Sequence, residues 1–418
     1  MKHILFLTDN FPPEVNAPAS RTFEHCREWV KSGCQVTVIT CVPNFPKGKI
    51  FEGYQHKLWQ VEFMAGIRVV RVWTYVTANQ GFAKRSLDYL SFMLGSIVAS
   101  FFIKKVDIII GTSPQFFTVC SAYLVGIFKK KPWIFELRDI WPESIRVVGA
   151  MRRSFFLDFL EKIELFLYSK ADAIVSVTHS FRESLKERGI DGKKIVVVTN
   201  GVDSSRFKPR EKDQELLKEY GLENKFVVGY IGTHGLAHSL NTILDAAKIL
   251  LHSVESNDFR FIFLGDGANK STLLQRAQSE KLENVIFVDS VSKETVVKYW
   301  SLLDASIIHL KKDPLFTTVI PSKLFECMGM GIPILHGVEG ESASIVEKEN
   351  IGLTFEPENA VALVEQMKTL VDNKSLHKKF RENGPLAAKK YDRIVLAEQM
   401  LGVVTEIQSR AGDKFTVV

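Results

Sequence analysis

The sequence predicts an α/β protein of two doubly wound parallel-sheet domains facing a cleft. Three observations carry this. The chain has 418 residues, too many for one ordinary core, and its 46% hydrophobic and 24% charged residues are those of a globular protein. Short apolar runs alternate with helical stretches from end to end, as in strands joined by crossover helices. Polar residues gather where those runs end, in both halves, and open α/β sheets bind ligands beyond the carboxyl ends of their strands.

In the first half the apolar runs are HILFLT (3–8), QVTVIT (35–40), IRVVRV (67–72), DIIIGT (107–112), WIFELRD (133–139) and AIVSVT (173–178). A parallel sheet is covered on both faces, so its strands read as nearly unbroken hydrophobic segments. Helical stretches such as 20–32 and 154–170 lie between them, and IVVVTNG (195–201) closes the series. A charged, helix-prone stretch, REKDQELLKEYGL, leads into FVVGYIG (226–232), RFIFLGDG (260–267), NVIFVDS (284–290), ASIIHL (305–310) and IPILHG (332–337). The expected division is 1–199, then 200–388, then a helical segment 389–418 that crosses back to brace the first domain.

The formal charge of +6 is mild, but basic residues cluster at Lys84-Arg85, Lys104-Lys105, Lys129-Lys130-Lys131 and Arg152-Arg153. An anionic membrane surface, rather than nucleic acid, is the partner expected for them. Five cysteines without metal-ligand spacing read as reduced thiols of a cytosolic protein. The apolar run ILFL after Met1-Lys2-His3 is too short for a secretory signal. Residues 87–103, LDYLSFMLGSIVASFFI, lie at the lower length limit for a bilayer span, and Asp88, Ser91, Ser96 and Ser100 interrupt them. A helix packed on the sheet is expected there, with its basic flanks at the lipid surface.

Candidate chemistry falls at strand ends. The first strand runs into TDNFPPEVNAPASRT, with a helix expected at about Ser20. WIFELRD runs into DIWPESI and sets Arg138, Asp139 and Glu143 at one rim, as functional groups or as surface ion-pair partners. GYIGTHGLAHSLNT places Thr233, His234 and His238 in a turn opened by Gly232 and Gly235. The pair His234 and His238 has no third ligand spaced for a metal. Gly265-Asp266-Gly267 is a tight turn without the GxGxxG pattern, and HExxH, GxSxG and P-loop motifs are absent.

In VIPSKLFECMGMGIPI, Pro321 disfavours helix before it, Ser322 is a good N-cap, and Gly329 and Gly331 can stop the helix. Lys323 and Glu326 then share a face near the positive helix end. An exposed helix start carrying a hydroxyl and an ammonium suits a phosphate, with a carboxylate one turn deeper for sugar hydroxyls. The plainer reading is a cap followed by an i,i+3 ion pair.

These residues resemble a known family. VVVTNGVDSSRFKP (196–209), the opening FPPEVNAPASRTFEHCREWVKSGCQVTVIT and PSKLFECMGMGIPIL are similar to the linker, first strand-loop-helix unit and acidic helix of the family 4 glycosyltransferases. LRDIWPES and GTHGLAH resemble a bacterial surface-polysaccharide subgroup of L-fucosamine-transferase-like and colanic-acid-type enzymes. The resemblance implies the GT-B fold, with two Rossmann-like domains. It also implies a retaining, metal-independent hexosyltransferase without cofactor, moving a sugar from a nucleotide-diphosphate donor such as a UDP-sugar to a lipid-linked saccharide acceptor. The implied location is the cytoplasmic face of the inner membrane.

By that resemblance Glu326 holds the ribose hydroxyls, and Ser322, Lys323 and Leu324 lie at the donor phosphate or sugar. Gly232, Thr233, His234, His238, Gly265, Asp266 and Gly267 line the donor pocket, and the segment from Val288 to Ser290 holds the base. Asn16, Ala17, Arg138, Asp139 and Glu143 face the acceptor, with Lys323, Glu326, Arg138 and Asp139 nearest the chemistry. The family's first glutamate falls at Thr318, and its diphosphate-binding Arg and Lys fall at Thr233 and His238. Lys323 is the expected substitute for the missing charge. Two other classes share the scaffold: a nucleotide-sugar 2-epimerase, against which the NGVD linker argues, and a non-catalytic donor-binding subunit.

Overall fold

The computed structural model describes residues 2–45, 48–77, 82–140, 155–253 and 259–415. They form two compact units, Met1–Thr199 with Arg393–Val418, and Asn200–Asp392. Each is a sheet covered by helices on both faces, so the α/β expectation of two doubly wound parallel-sheet domains holds.

The first sheet has eight strands in the order β3-β4-β2-β1-β5-β6-β7-β8. These are β1 (His3–Leu7), β2 (Gln35–Cys41), β3 (Trp59–Met64), β4 (Ile67–Val72), β5 (Ile108–Thr112), β6 (Trp133–Leu137), β7 (Ala173–Ser176) and β8 (Ile195–Val197). All pair in parallel except β3, which runs antiparallel to β4 at the edge. The apolar-run reading missed β3 because its residues alternate between exposed and partly buried, as an edge strand with one covered face does.

Helix α1 (Ala17–Lys31) starts earlier than expected from Ser20, because Asn16 Oδ1 accepts from Ala19 N at 2.9 Å and caps it. Helix α2 (Phe82–Phe101) buries Phe92, Ser96 and Ala99, and Ser96 Oγ meets Ser121 Oγ at 2.6 Å on α3 (Phe116–Lys129). Among the described residues no helix is long and apolar enough to cross a membrane. The helix Arg393–Phe415 packs on α1, where Leu396, Ala397, Met400 and Val404 join the core of the first unit. Trp29 Nε1 donates to Ala397 O at 2.8 Å, and Arg393 pairs with Glu24. Each fully buried side chain of this size contributes about 1.5–3 kcal/mol.

The second sheet has the order β11-β10-β9-β12-β13-β14, all parallel. Its strands are β9 (Phe226–Ile231), β10 (Phe259–Leu264), β11 (Val285–Val288), β12 (Ala305–His309), β13 (Ile334–Gly337) and β14 (Gly352–Thr354). β14, three residues long and only partly buried, has no apolar run to betray it. The strand order reverses between β9 and β12, and such a switch point opens a crevice at the strands' carboxyl ends.

Candidate active site

The second unit builds its site around the turn that follows β9. Gly232 N donates to Leu264 O at 2.9 Å and Gly265 N to Val288 O at 3.1 Å, so the ends of β9, β10 and β11 are tied in series. The glycines are dictated by closeness. At Gly265, with φ +148°, a Cβ would lie 1.9 Å from Gly232 O, and at Gly267 one would lie 2.6 Å from His234 O. His234 N donates to Asp266 O at 2.9 Å, and Asp266 Oδ1 accepts from Gly267 N at 2.8 Å. The two glycine turns therefore interlock.

Lys323 opens the helix Lys323–Met330 and reaches under this turn. Its Nζ is buried, has no hydrogen-bond partner, and lies 3.5 Å from the centre of the Tyr230 ring. A Cβ on Gly232 would sit 3.0 Å from that Nζ, so the missing side chain leaves the ammonium its space. Burial pushes the Lys323 pKa down to about 7, with Cys327 and Glu326 pulling weakly the other way. The ammonium is thus not the exposed one expected, and the i,i+3 hydrogen-bonded pair with Glu326 does not form. Glu326 lies one turn further along the helix, partly buried. Ser322 occupies the cap position in αR geometry, without a side-chain cap bond, so its expected capping role is corrected. Leu324 is fully buried and serves the core.

Two histidines follow in the same turn. His234 is fully buried and neither ring nitrogen has a partner. Burial first, then the charges of Lys270 and Lys323, push its pKa down to about 4. His238 goes down to about 3, again by burial first and Lys323 second, so it carries no charge near neutrality. Tyr230 hydroxyl donates to Thr233 O at 2.9 Å, while Thr233 itself faces solvent. Val288 is buried at the end of β11 and Ser290 is exposed. Thr318 ends a short 3-10 turn, its hydroxyl donating to Leu315 O at 2.7 Å.

Sequence reasoning missed three contributors here. Tyr230 supplies the ring under Lys323. Lys270 donates to Gly265 O at 2.8 Å and braces the turn. His309 donates from Nδ1 to His238 O at 2.9 Å and accepts at Nε2 from Glu358 N at 2.8 Å, tying the end of β12 to the turn. Only the tyrosine inside GYIG and the lysine after GDGAN gave any signal.

In the first unit, Arg138 and Asp139 follow β6, and Ser113 Oγ accepts from their backbone amides at 2.9 and 3.4 Å. Arg138 Nε and Nη1 are buried without hydrogen bonds. Burial lowers the Arg138 pKa to about 10, opposed by Glu136, whose Oε1 already accepts from Arg21 at 2.9 Å. Asn16 is engaged on both sides, capping α1 and donating to Asn10 Oδ1 at 2.6 Å, and Ala17 is the first helical residue. Glu143 lies outside the described residues. No group of three or more His, Cys, Asp or Glu among the described residues is placed to hold a metal ion.

Residues 19–206 match the family model described as Glycosyltransferase Family 4, and residues 212–387 match that described as Glycosyl transferases group 1. The Probable glycosyltransferase WbjE of Pseudomonas aeruginosa is 23% identical over 265 residues, 62% of this chain and 65% of that protein. The Putative teichuronic acid biosynthesis glycosyltransferase TuaH of Bacillus subtilis is 26% identical over 219 residues, 51% of this chain and 52% of that protein. A Campylobacter jejuni N-acetylgalactosamine-N,N'-diacetylbacillosaminyl-diphospho-undecaprenol 4-alpha-N-acetylgalactosaminyltransferase is 22% identical over 241 residues, 56% and 60% of the two chains. The chain thus spans between 52% and 65% of the length of these curated relatives. Among solved structures, sucrose-phosphate synthase from Thermosynechococcus elongatus superposes with a TM-score of 0.75 at 14% identity, covering 98% of this chain and 100% of that one. Anabaena HepE in complex with UDP-glucose superposes with 0.71 at 15% identity, covering 97% and 100%. Two glycosyltransferase family models thus lie end to end over most of the chain, family 4 on its first part and group 1 on its second, and its fold is the GT-B fold of those structures.

Proposed function

We propose that the chain is a retaining glycosyltransferase of bacterial surface-polysaccharide synthesis, moving an amino- or deoxy-hexose from a UDP-sugar to a lipid-linked saccharide. One observation carries the reading: a buried lysine nitrogen and both nitrogens of a buried histidine stand unpartnered beside the Gly232 turn, at the switch point of the second sheet. Unpaired buried polar groups cost about 1–3 kcal/mol each and call for a ligand. A nucleoside diphosphate supplies acceptor oxygens for the lysine ammonium and for the one N–H of the neutral imidazole. Structures of similar fold hold UDP and UDP-glucose, and the Campylobacter relative's name specifies a diphospho-undecaprenol acceptor.

In this reading Lys323 is protonated as the diphosphate enters and stabilises the charge that grows on it as the sugar leaves. Glu326 accepts the ribose hydroxyls, and the backbone from Val288 to Ser290 meets the base. The acceptor hydroxyl forms its bond to the anomeric carbon as the carbon–phosphate oxygen bond breaks. Its proton passes to the leaving phosphate oxygen on the same face, so the anomeric configuration is retained. Arg138, with two unpartnered nitrogens, takes an anionic group of the acceptor. The basic flanks of α2 and α3 hold the first unit at an anionic membrane.

The test is a donor screen of the purified chain with UDP- and GDP-sugars and a membrane-lipid extract. Transfer of labelled sugar into lipid, with slow release of UDP when lipid is omitted, is the expected result. Appearance of an epimerised UDP-sugar, or binding without turnover, overturns the reading.

A further inference from the structure

We propose that the open edge of the first sheet is an interface between two copies of this chain, joined by antiparallel pairing of β3 with β3 of the second copy about a two-fold axis at Val61. Among the described residues β3 pairs with β4 alone, so its other side is left without a neighbouring strand. Trp73 N donates to Leu58 O at 3.2 Å, which turns the backbone of Leu58 towards β4. Backbone groups alternate along an antiparallel strand, so those of Gln60, Glu62 and Met64 also turn inward, while Trp59, Val61 and Phe63 point N–H and C=O outward. The turn at Ala65 and Gly66, with φ +49° and +80°, closes the hairpin on Met64 and Ile67 and agrees with that phase.

The three residues with outward backbone also carry the exposed apolar side chains of the strand, Phe63 at 73% exposure most of all. Trp59 meets Phe102 with ring centres 5.8 Å apart, so this apolar face continues onto the end of α2. Sheet edges are ordinarily guarded by lysine, proline or a bulge. Residues 59–64, WQVEFM, hold neither lysine nor proline, and their one charge, Glu62, is turned back onto Arg71.

The strand is complementary to itself in one register. With Val61 opposite Val61 of the second copy, Trp59 faces Phe63 at both ends, and every outward N–H meets an outward C=O. On the other face Gln60 then lies opposite Glu62, an amide against a carboxylate. Moving the axis to Glu62 would set two carboxylates face to face, and moving it to Gln60 would leave Phe63 opposite Lys57. Aromatic cross-strand pairs stabilise a sheet, and like charges directly opposite destabilise it. A bilayer could cover the apolar side chains but offers the outward N–H and C=O groups no partner. A second strand satisfies both, and the two-fold axis places both α2 stripes on the same side of the joined sheet.

Sedimentation velocity of the full chain over a rising concentration series reads the association, and a monomer–dimer equilibrium is expected. Val61→Lys and Val61→Glu each set like charges against each other across the axis, and each should raise the dimer dissociation constant about tenfold or more. Their equimolar mixture sets lysine against glutamate and should restore the dimer. Val61→Pro removes only an outward N–H, keeps the ladder to β4 and should also weaken the dimer. Circular dichroism and UDP affinity, both unchanged, serve as the folding check in each variant. A chain that stays monomeric at every concentration, whether or not it binds vesicles, overturns the proposal. So does a dimer equally strong in all the folded variants, or a mixture that associates no better than either charged variant alone.

Discussion

The Nζ of Lys323 stands 3.5 Å from the centre of the Tyr230 ring, buried and with no hydrogen-bond partner. A ring face offers weak electrostatic attraction and no lone pair, so it positions the ammonium without satisfying it. The aromatic floor keeps the charge available, where a carboxylate would hold it permanently.

Lys323→Ala should therefore weaken UDP binding and transfer by about ten- to over a hundredfold, the worth of a charge-assisted hydrogen bond of roughly 1.5–3 kcal/mol. His238→Ala should cost much less, because His238 is held neutral. Equal UDP affinity in Lys323→Ala and wild type, read by calorimetry, removes Lys323 from the donor site.

The second expectation concerns protons. With its pKa pushed down to about 7, Lys323 is largely neutral in the free protein at pH 8 and must take up a proton when a diphosphate binds. UDP affinity should rise as pH falls from 8.5 to 6.5. Calorimetry at pH 8 in buffers of different ionisation enthalpy should show net proton uptake. That uptake should vanish in Lys323→Ala; uptake unchanged in the variant would assign the proton elsewhere.

The architecture was legible because apolar runs report strands covered on both faces. Trp59–Met64 and Gly352–Thr354 were not, since the first alternates exposed with partly buried residues and the second is only three partly buried residues long. Chemistry was legible only as residue type. PSKLFE announced Lys323 and Glu326, but nothing local says that Lys323 turns inward onto Tyr230, a residue 93 positions earlier.

The interlocked glycine turns give a stability test. At Gly265 any side chain meets Gly232 O at 1.9 Å and must also adopt φ +148°. Gly265→Ala should destabilise the second unit by about 1–3 kcal/mol or more and weaken UDP binding in parallel. Thermal unfolding with and without UDP checks it, and an unchanged midpoint would mean that the turn has room to relax.

The carboxyls of the first unit predict a pH dependence of stability. Asp9, Glu14 and Asp88 are each pushed from the ordinary carboxylate range up to about 7, chiefly by burial. A raised acid favours the folded state fully below its unfolded pKa, and that contribution is lost as pH rises through about 7. His3 and His25 are pushed down by burial and act oppositely, below about 6.5. Lys323, pushed down to about 7 by burial, opposes this as pH rises past 7, so the window in which stability should fall with rising pH is about pH 6.5–7. Asp9→Asn with Asp88→Asn should flatten that slope in urea unfolding; an equal slope in the double variant would contradict the shifts.

The last expectation concerns the membrane. On α2 the side chains of Leu87, Leu90, Leu94, Val98 and Phe101 are exposed at helical spacing, forming one unbroken apolar stripe. Phe102 continues it, 67% exposed, and Phe101 meets Phe128 of α3 with ring centres 5.7 Å apart. At the far end Lys104, Lys105, Lys129 and Lys131 line a cavity of about 680 Å³. An apolar stripe bounded by ammonium groups matches a bilayer interface, where rings and leucines enter the acyl boundary and each lysine gains about 1 kcal/mol from anionic headgroups. A stripe that merely belonged to the core would be covered, and this one is not. Co-sedimentation with vesicles should increase with anionic-lipid content and fall at high salt, because the attraction is screened. Lys104→Glu with Lys105→Glu should reduce it further, while Leu94→Ser with Val98→Ser should lower binding even at low salt. Binding indifferent to lipid charge and salt, or none at all, would rule out this mode of docking.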